Sequence, residues 1–443
     1  MKRKRFVSIL ICIAMFISMT SCTESSEGGV PISEATFPDA NFRNYVLSNH
    51  DKNRNNSLDA SEIAVTTQIN VPFSSISSLE GIEYFTALTK LDCYENNLTS
   101  LDVSSNTSLL SLNCSFNDLT TLDVSNNTVL KNLDCSTNAL TTLGVNNNLK
   151  LERLDCYANE LATLDVSKDT ALRYLSCYNN NITTLDVSHN TELEELYCSE
   201  NILTSLNVSN NIDLTVLWCS DNSLATLDVS NNTDLTVLWC NLNNLSILDV
   251  SNNTELEQLN CRINNLSIMD VSNNTVLEYL DCSYNSITTL DVSNNTTLLK
   301  FDCSSTSIET LDVSNNTELE ELYCGCNNLN TLDVSNNTDL TVLWSHNTNI
   351  TMLDLSNNTE LVLLDCSANN LTALEVSNNT ALEYLVCCDN NISILDVSCI
   401  PEILRVVNEG SESISTLNNH LVREFRIEES RIVCDQSTEL IVQ

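Results

Sequence analysis

The chain has 443 residues, more than one hydrophobic core usually supports, so it is predicted to be either several domains or one elongated array. Aromatic residues make up only 5% of it, with 6 Gly and 4 Pro, and this composition argues against both a disordered chain and a large globular core. The formal net charge of −40 excludes nucleic acid as a partner and favours cations or basic ligands.

The N-terminus has the pattern of a secretory signal peptide. Basic residues at positions 2–5 precede an apolar run from Phe6 to Met19, which is too short for an ordinary membrane-spanning helix. We predict a signal peptide over residues 1–21 and a flexible polar tether over residues 22–34. Without the signal peptide the chain has 15 basic and 59 acidic residues, a formal charge of −44.

The end of the signal segment, MTSC at Met19–Cys22, resembles the lipobox of bacterial lipoproteins, with Met19 where Leu is usual. The resemblance implies that Cys22 becomes the acylated N-terminus; an ordinary cleaved signal peptide is the alternative. The TESSEGG that follows looks like the acidic export signal of Bacteroidota surface lipoproteins. That resemblance implies an outward-facing protein that contacts the outer membrane through its lipid anchor only.

Residues 35–87 are predicted to form an N-terminal cap with a degenerate first coil. In FPDANFRNYVLSNH, Phe42, Tyr45 and Val46 have helical spacing. The next stretch, DKNRNNSLDASE, has oxygen-bearing side chains at positions 1, 3, 5, 7, 9 and 12 of an EF-hand-like calcium loop. These candidate Ca²⁺ ligands are Asp51, Asn53, Asn55, Ser57, Asp59 and Glu62.

This loop departs from the usual calcium-binding pattern at one position. Asn56 stands where Gly is usual, and Asn tolerates the left-handed conformation better than most residues, so the site is weakened rather than abolished. Any calcium here would be structural. A cap that keeps the shape without the ion is the alternative, because only three of the ligands are carboxylates. The segment through ISSLEGIEYF resembles the caps of internalin-like bacterial surface proteins.

Residues 88–402 repeat every 21 residues, and no globular domain keeps its phase for so long, so this region is predicted to be a solenoid. Each unit reads L-x-x-L-x-C-x-x-N-x-L and then L-x-x-L-D-V-S-N-N-T. This nested pattern resembles the 21-residue bacterial leucine-rich repeat class called IRREKO. The resemblance implies a mainly β solenoid of about fifteen coils. Each coil would have two short strands, x-L-x-C and L-D-V, on opposite sides of a narrow interior.

Beyond the array, residues 403–443 lose the repeat. REFRIEESRIVC alternates as a hairpin does, so we predict a β C-terminal cap.

Three columns of the repeat are predicted to be structural. Asn recurs after the first strand, from Asn96 to Asn390, and again after L-D-V, from Asn106 to Asn379, where only Asp169 breaks the column. At each corner a buried amide can satisfy backbone groups that have left the ladder. Cys recurs from Cys93 to Cys387 with Ser345 as the only gap, and it is predicted to be a small interior hydrophobe. Cys399 and Cys434 lie off this column and could form a disulfide.

The L-D-V segments also give an acidic column, which is unbroken from Asp228 to Asp354. Carboxylates about 4.8 Å apart repel by roughly 0.9 kcal/mol even in water, so each must be hydrogen-bonded, protonated or screened by cations. A solvated, hydrogen-bonded edge is the favoured interpretation, and a specific row of bound cations is the alternative.

The outward face of the first strand is the candidate binding surface. Leu and Cys of x-L-x-C point inward, so the residue between them points outward, and this column varies where the interior columns are uniform. Exposed aromatic side chains in a contiguous patch are typical of binding sites. The predicted ligand-binding residues are Tyr197, Val216, Trp218, Val237 and Trp239, with a second group of Tyr323, Trp344 and His346. The alternative is that DLTVLW was copied by duplication and the rings merely cover one another.

The sequence predicts no enzyme. Its four histidines are scattered, and it has no HExxH motif, nucleophile elbow or Gly-rich phosphate loop. We therefore expect a non-catalytic surface recognition or adhesion protein that binds a protein or a glycan. A passive surface spacer or coat lipoprotein without a specific ligand is the alternative.

Overall fold

The computed structural model describes the backbone of residues 29–403, 411–417, 420–427 and 430–442, with the side chains of all of these except 411–430. The predicted signal peptide, Cys22 and the first part of the predicted tether lie outside the described residues. In the part of the chain that is described, no helix is both long and apolar enough to cross a bilayer.

The predicted solenoid is confirmed: one three-residue strand per coil builds a continuous parallel sheet. Neighbouring strands pair residue for residue at an offset of 21, as Leu217 does with Leu238. The strands of the array, β4 to β18, are Lys90–Asp92, Ser111–Asn113, Asn132–Asp134, Arg153–Asp155, Tyr174–Ser176, Glu195–Tyr197, Val216–Trp218, Val237–Trp239, Gln258–Asn260, Tyr279–Asp281, Lys300–Asp302, Glu321–Tyr323, Val342–Trp344, Leu363–Asp365 and Tyr384–Val386.

The interior consists of the repeated apolar positions. In a typical coil, Leu217 at the centre of its strand, Cys219 after it and Val229 across the coil are fully buried. Burial of apolar surface stabilises by about 25 cal/mol per Å², so the same small set of side chains in every coil supplies a continuous core along the array.

The prediction of a second strand in every coil is wrong. The L-D-V segments form only isolated bridges, which link Asp102, Asp123, Gly144 and Asp165, before a short pairing at the C-terminal end. In the later segments the side chain at this position, usually aspartate, accepts a hydrogen bond from the backbone amide two residues on, as Asp249 does from Ser251 at 3.0 Å. The bridged residues Asp102, Asp123 and Asp165 accept the same bond, so it satisfies a backbone amide at this corner in paired and unpaired segments alike.

A left-handed residue lies three positions after the end of each first strand, immediately before the first asparagine column. The left-handed residues run from Glu95 (φ 50°) to Asp389 (φ 56°) at the 21-residue spacing, and none of them is glycine. The asparagine that follows joins two coils: Nδ2 of Asn243 donates to the carbonyls of Cys219 and Cys240, and its Oδ1 accepts from the amide of Leu224 at 2.9 Å. The predicted structural role of this column is confirmed.

The second asparagine column is fully buried and also links adjacent coils. Nδ2 of Asn190 donates to the carbonyl oxygens of Val166 and Asp169, at 3.0 and 2.9 Å. Asp169 occupies the same position one coil earlier, but a carboxylate has no N–H to donate, and neither of its oxygens has a hydrogen-bond partner. Burial, with a smaller contribution from Asp165, raises the pKa of Asp169 to about 7.

The cysteine column is buried, as predicted, and its thiols are not joined in disulfides. Burial raises the pKa of Cys240 to about 12. Thiols in this environment stay protonated at neutral pH and pack as small apolar groups. Cys399 is exposed and its thiol is free, so the disulfide considered between Cys399 and Cys434 is not formed.

The N-terminal end of the array is covered by two helices and three short strands. Helix α1 (Ala40–Asn49) confirms the predicted helix, and it buries Phe42 and Val46. The other elements of this end are α2 (Ala60–Val65), a 3-10 helix (Ile82–Tyr84), β1 (Val30–Pro31), β2 (Ser57–Leu58) and β3 (Gln68–Asn70). Strand β3 pairs in parallel with β4 and is the first strand of the large sheet.

At the other end the predicted hairpin residues form β21 (His420–Ile427) and β22 (Ser430–Asp435), which pair antiparallel. Strand β22 also pairs in parallel with β18 and so extends the large sheet. Strand β20 (Ser411–Leu417) pairs with β21, and β19 (Ile394–Asp396) pairs with β23 (Glu439–Ile441) on the L-D-V side. Within the described residues, the last coil is therefore covered by paired strands on both sides.

The break at Asp169 gives a test of the asparagine column. Asp169→Asn should raise the free energy of unfolding at about pH 8 by roughly 2–4 kcal/mol. The folded-state pKa of this acid is raised above its unfolded-state value, so its cost to stability is absent at acidic pH and develops as the pH rises from about 4 to about 7. The advantage of the variant should therefore shrink toward pH 4, as measured by urea unfolding.

The reciprocal change provides the control for this experiment. Asn190→Asp should destabilise the chain at about pH 8 and regain part of its stability toward pH 4, because a protonated carboxyl can again donate one hydrogen bond. Equal stability of the Asp169→Asn and parent chains at about pH 8 would contradict the proposed cost.

Candidate functional site

The candidate site is the outer face of the large sheet, opposite the core. Along each three-residue strand of the large sheet the central apolar residue, usually Leu, is buried, and in most strands the two flanking residues are partly exposed. Tyr197, Trp218 and Trp239 lie directly beside one another on β9, β10 and β11. Val216 and Val237 lie beside one another at the start of the same strands. The structure thus places the first group of predicted ligand-binding residues on one face and in contact.

The rings of this group form a continuous row. Tyr197 meets Trp218 edge to face, with ring centroids 5.0 Å apart. Trp218 and Trp239 stack with centroids 4.4 Å apart and ring planes within 3°. Because the strands are in register, this stacking follows from the parallel ladder itself.

Stacking limits what the tryptophans can offer a ligand. Each indole covers one face of the other, and the indole nitrogens of Trp218 and Trp239 are buried without a hydrogen-bond partner. A sugar platform needs an open ring face, whereas apolar side chains can pack against ring edges. The geometry therefore presents an apolar ridge rather than a pair of open platforms.

Tyr174 was not among the predicted ligand-binding residues, yet it extends the row by one coil. It lies one strand before Glu195 in the column that starts each strand, and its ring centroid is 5.3 Å from that of Tyr197. The guanidinium of Arg153 lies 3.4 Å from the centroid of the Tyr174 ring. The sequence contained the signal for this residue: Tyr174 occupies the same outward-facing repeat position as Val216, two coils earlier. We call Tyr174, Tyr197, Trp218 and Trp239 the aromatic strip.

Charged groups flank the aromatic strip. Arg153 also makes an ion pair with Asp155, at 2.7 Å, and burial raises the pKa of Asp155 although Arg153 acts in the opposite direction. The hydroxyl of Tyr197 donates to Glu195 at 2.7 Å, and burial together with this carboxylate raises the pKa of the tyrosine. The strip is therefore an apolar surface with fixed polar groups at one end, the arrangement that protein interfaces commonly have.

The second predicted group is smaller. Tyr323 and Trp344 meet edge to face with centroids 5.2 Å apart, and Trp344 is 39% exposed. The hydroxyl of Tyr323 donates to Glu321, which also pairs with Lys300 at 2.7 Å. His346 lies in the turn after its strand, and its imidazole contacts Cys326 of the preceding coil. Tyr323 is four coils and Trp344 five coils from Trp239, so the structure does not bring the two groups together.

The acidic column is hydrogen-bonded, as the favoured interpretation expected. Asp228, Asp249 and Asp270 each accept a hydrogen bond from the backbone amide of the serine two residues on. The serine hydroxyl and amide lower the pKa of each of these carboxylates. Local hydrogen bonds therefore stabilise the ionised column, and no bound cation is needed to explain it.

The EF-hand-like loop has part of the expected shape. Asn56 is left-handed (φ 62°), and Leu58 pairs with Val30 in a short antiparallel bridge. The predicted ligands bond to the loop itself: Asp51 accepts from the amide of Asn56 at 2.9 Å, and Asn53 donates to Asp59 at 2.6 Å. The side chains of Asp51 and Asn53 also accept from the backbone amide of Asn55, and the side chain of Asn55 accepts from the backbone amide of Ser57. The Glu62 carboxylate accepts from the backbone amides of Lys52, Asn53 and Asp59. Among residues 29–403 and 431–442, no three His, Cys, Asp or Glu side chains are arranged to hold a metal ion.

Comparison with known proteins gives matches of the same architecture. No family model matches the chain. Internalin J of Listeria monocytogenes serotype 4b (strain F2365) is 40% identical over 71 residues, which are 16% of this chain and only 8% of that protein. The structure of the functional domain of InlJ from Listeria monocytogenes, described as including a cysteine ladder, is 32% identical with a TM-score of 0.77. That match covers 93% of this chain and 99% of the InlJ chain.

Two more distant structures share the fold alone. The internalin InlF of Listeria monocytogenes str. 4b F2365 is 22% identical, with a TM-score of 0.62 over 75% of this chain and 96% of its own. The leucine-rich repeat ectodomain of GASSHO1/SCHENGEN3 from Arabidopsis thaliana, in complex with CASPARIAN STRIP INTEGRITY FACTOR 2, is 19% identical, with a TM-score of 0.58 over 73% of this chain and 48% of its own.

The match to the InlJ domain covers nearly the whole of both chains at 32% identity. That domain is described as including a cysteine ladder, and this chain has a buried column of cysteines. The chain therefore belongs to the internalin-like leucine-rich repeat proteins.

Proposed function

We propose that this chain is a non-catalytic recognition or adhesion protein of the bacterial surface that binds a protein ligand through the outer face of its sheet. The aromatic strip carries the proposal. Aromatic side chains supply most of the binding energy at many protein interfaces, and here four of them line up without interruption across β8 to β11.

A protein ligand is favoured over a glycan by the way the rings lie. Trp218 and Trp239 cover one face of each other, and Val216 and Val237 add aliphatic surface beside them. Apolar side chains of a protein can pack on such a ridge, while a sugar ring would find few open π faces. The acidic surroundings, in a chain of net charge −40, further favour a ligand with basic residues at its rim.

A fold relative supports a protein ligand in general terms. The plant ectodomain cited above shares the leucine-rich repeat fold and is in complex with another protein. The rival proposal of a passive spacer rests on the same repeats but gives no role to the aromatic strip.

The binding proposal predicts that Trp218→Ala combined with Trp239→Ala weakens ligand capture at least about 30-fold, because buried aromatic anchors contribute about 2 kcal/mol or more each. Capture would be measured on an array of host extracellular proteins printed beside a glycan array. The rings lie on the surface, so the free energy of unfolding should fall by no more than about 1.5 kcal/mol.

Ile247 and Ile268 provide the matched control, since both are apolar, well exposed and on adjacent coils away from the outer sheet face. Replacing both with Ala should leave capture unchanged. An absence of hits for the parent chain would favour the spacer, and hits confined to the glycan array would reject a protein ligand.

We further propose that the EF-hand-like loop binds calcium weakly as a structural ion. Calcium would replace the hydrogen bond between Asn53 and Asp59, and Asp51 and Glu62 would supply further oxygens. This competition with bonds inside the loop is consistent with the millimolar affinity typical of extracellular calcium modules.

The calcium proposal predicts a higher melting temperature in about 5 mM CaCl₂ than in EDTA, with a gain of about 1–2 kcal/mol. The same concentration of MgCl₂ should give a smaller gain, because Mg²⁺ demands a more regular geometry. In Glu62→Gln the difference between calcium and EDTA should disappear, whatever that substitution does to stability itself. Identical melting curves of the parent chain in calcium and EDTA would exclude the site.

The membrane anchor is proposed from the sequence alone, because residues 1–28 lie outside the described residues. We propose that residues 1–21 are removed and that the acylated Cys22 anchors the protein to the outer membrane. Cells fed an alkyne fatty acid should label the parent protein, and Cys22→Ser should abolish the label. Equal labelling of both proteins would reject acylation at Cys22.

A further inference from the structure

Cys326 differs from the buried cysteines of the column. It is partly exposed and lies in the turn after β15, at the left-handed position (φ 55°) that precedes the column asparagine Asn327. The pairing of successive turns brings it against the next coil, where its backbone amide donates to the carbonyl of His346 at 2.8 Å. The repeat itself therefore fixes which side chains surround this thiol.

Two polar side chains of the next coil contact the sulfur. Nε2 of His346 lies 3.4 Å from Sγ of Cys326, and Nδ2 of Asn347 donates to the same sulfur at 3.5 Å. The imidazole can accept the thiol proton, and the amide can donate to the resulting thiolate. An adjacent base of this kind is what makes a cysteine nucleophilic.

A carboxylate lies beyond the imidazole. Oδ2 of Asp365, one coil further on, is 3.9 Å from Nδ1 of His346, and Nδ1 is buried without a hydrogen-bond partner. The other oxygen of Asp365 accepts from the amide and hydroxyl of Ser367 and is held in place. Asp365 can therefore stabilise the imidazolium that forms when His346 takes the proton.

The repeat is altered at the positions that make room for this cluster. Gly325 stands where other coils have a larger residue, and a Cβ there would lie 2.7 Å from the imidazole of His346. The coil that supplies His346 is also the one in which Ser345 interrupts the cysteine column. The imidazole therefore occupies space that the ordinary repeat would fill.

We propose that Cys326, His346 and Asn347 form a reactive-thiol site that undergoes thiol–disulfide exchange with small neutral or cationic disulfides. His346 takes the proton of Cys326, and the thiolate attacks one sulfur of the disulfide R–S–S–R. A new bond joins Cys326 to one R–S group, the original S–S bond breaks, and the other sulfur leaves as a thiolate, which recovers the proton from His346. Asp365 is a positioning residue, since it acts only through His346.

The surrounding charge selects the disulfide. The chain has a net charge of −40, and Asp365 lies next to the site. A dianionic disulfide should therefore approach slowly, while a dicationic one should be attracted.

The experiment uses cystamine on the folded chain at about pH 7, with the adduct at each cysteine followed by peptide mass mapping. Cys399 is the internal reference because it is more exposed than Cys326, so accessibility alone predicts that Cys399 reacts faster. We expect the opposite, with Cys326 about tenfold faster. With the anionic probe 5,5′-dithiobis(2-nitrobenzoate), the ratio of the Cys326 rate to the Cys399 rate should be smaller than with cystamine.

The variants distinguish a loss of proton transfer at Cys326 from a general change in the folded structure. His346→Gln should bring the rate at Cys326 down to that at Cys399 or below, whereas His189→Gln, at an exposed histidine elsewhere, should change nothing. Asn347→Ala, an exposed substitution, should lower the rate by a smaller factor. In the parent chain the Cys326 to Cys399 rate ratio should be larger at about pH 6.5 than at about pH 8.5, and in His346→Gln it should be constant.

Three results would overturn the proposal. The first is a Cys326 rate equal to or below that of Cys399 in the parent chain. The second is a Cys326 rate that His346→Gln leaves unchanged while the variant melts at the parent temperature. The third is a fast adduct that persists in Cys326→Ser, since the reactive thiol would then be a different one.

Discussion

The structure depends on hydrogen bonds that cross from one coil to the next at its corners. A strand of three residues pairs only a small part of the backbone of a 21-residue coil, so most polar groups need other partners. Backbone groups of neighbouring coils supply many of these partners, and buried asparagine amides supply others: Asn243 contacts four backbone groups, and Asn190 contacts two. Each coil is therefore completed by its neighbours, and the stability of the array is a property of stacked pairs rather than of single coils.

This constraint explains why the interior positions are nearly uniform from coil to coil while the outer-face positions vary. A residue in the core or at a corner must suit the coils on both sides, and the same Leu, Cys and Asn recur. Residues on the outer sheet face meet only solvent and their cross-strand neighbours, so they can differ without disturbing the ladder. The parallel register then converts similar residues on adjacent coils into a row, which is how Trp218 and Trp239 come to stack.

The chemically distinctive places are departures from the repeat. Asp169 replaces a donor with an acid and leaves a buried carboxyl whose pKa burial raises to about 7. Gly325, Ser345 and His346 alter two adjacent coils together, and the result is a thiol with an imidazole and an amide beside it. In a repeat protein such a departure is easy to recognise, because the equivalent position in the other coils shows the usual residue and its contacts.

The sequence by itself determined the solenoid, its period, the buried columns, helix α1 and the outward direction of Trp218 and Trp239, because periodic burial depends on spacing along the chain. Only the tertiary structure decided how the outward rings meet, that Tyr174 joins the row, and that Cys326 touches His346. Those contacts join residues about one coil apart and depend on side-chain orientation, which a repeat pattern does not specify. The second strand failed for a related reason: whether the L-D-V segments of adjacent coils pair depends on how their backbones lie beside one another, and they pair only in isolated bridges and at the C-terminal end.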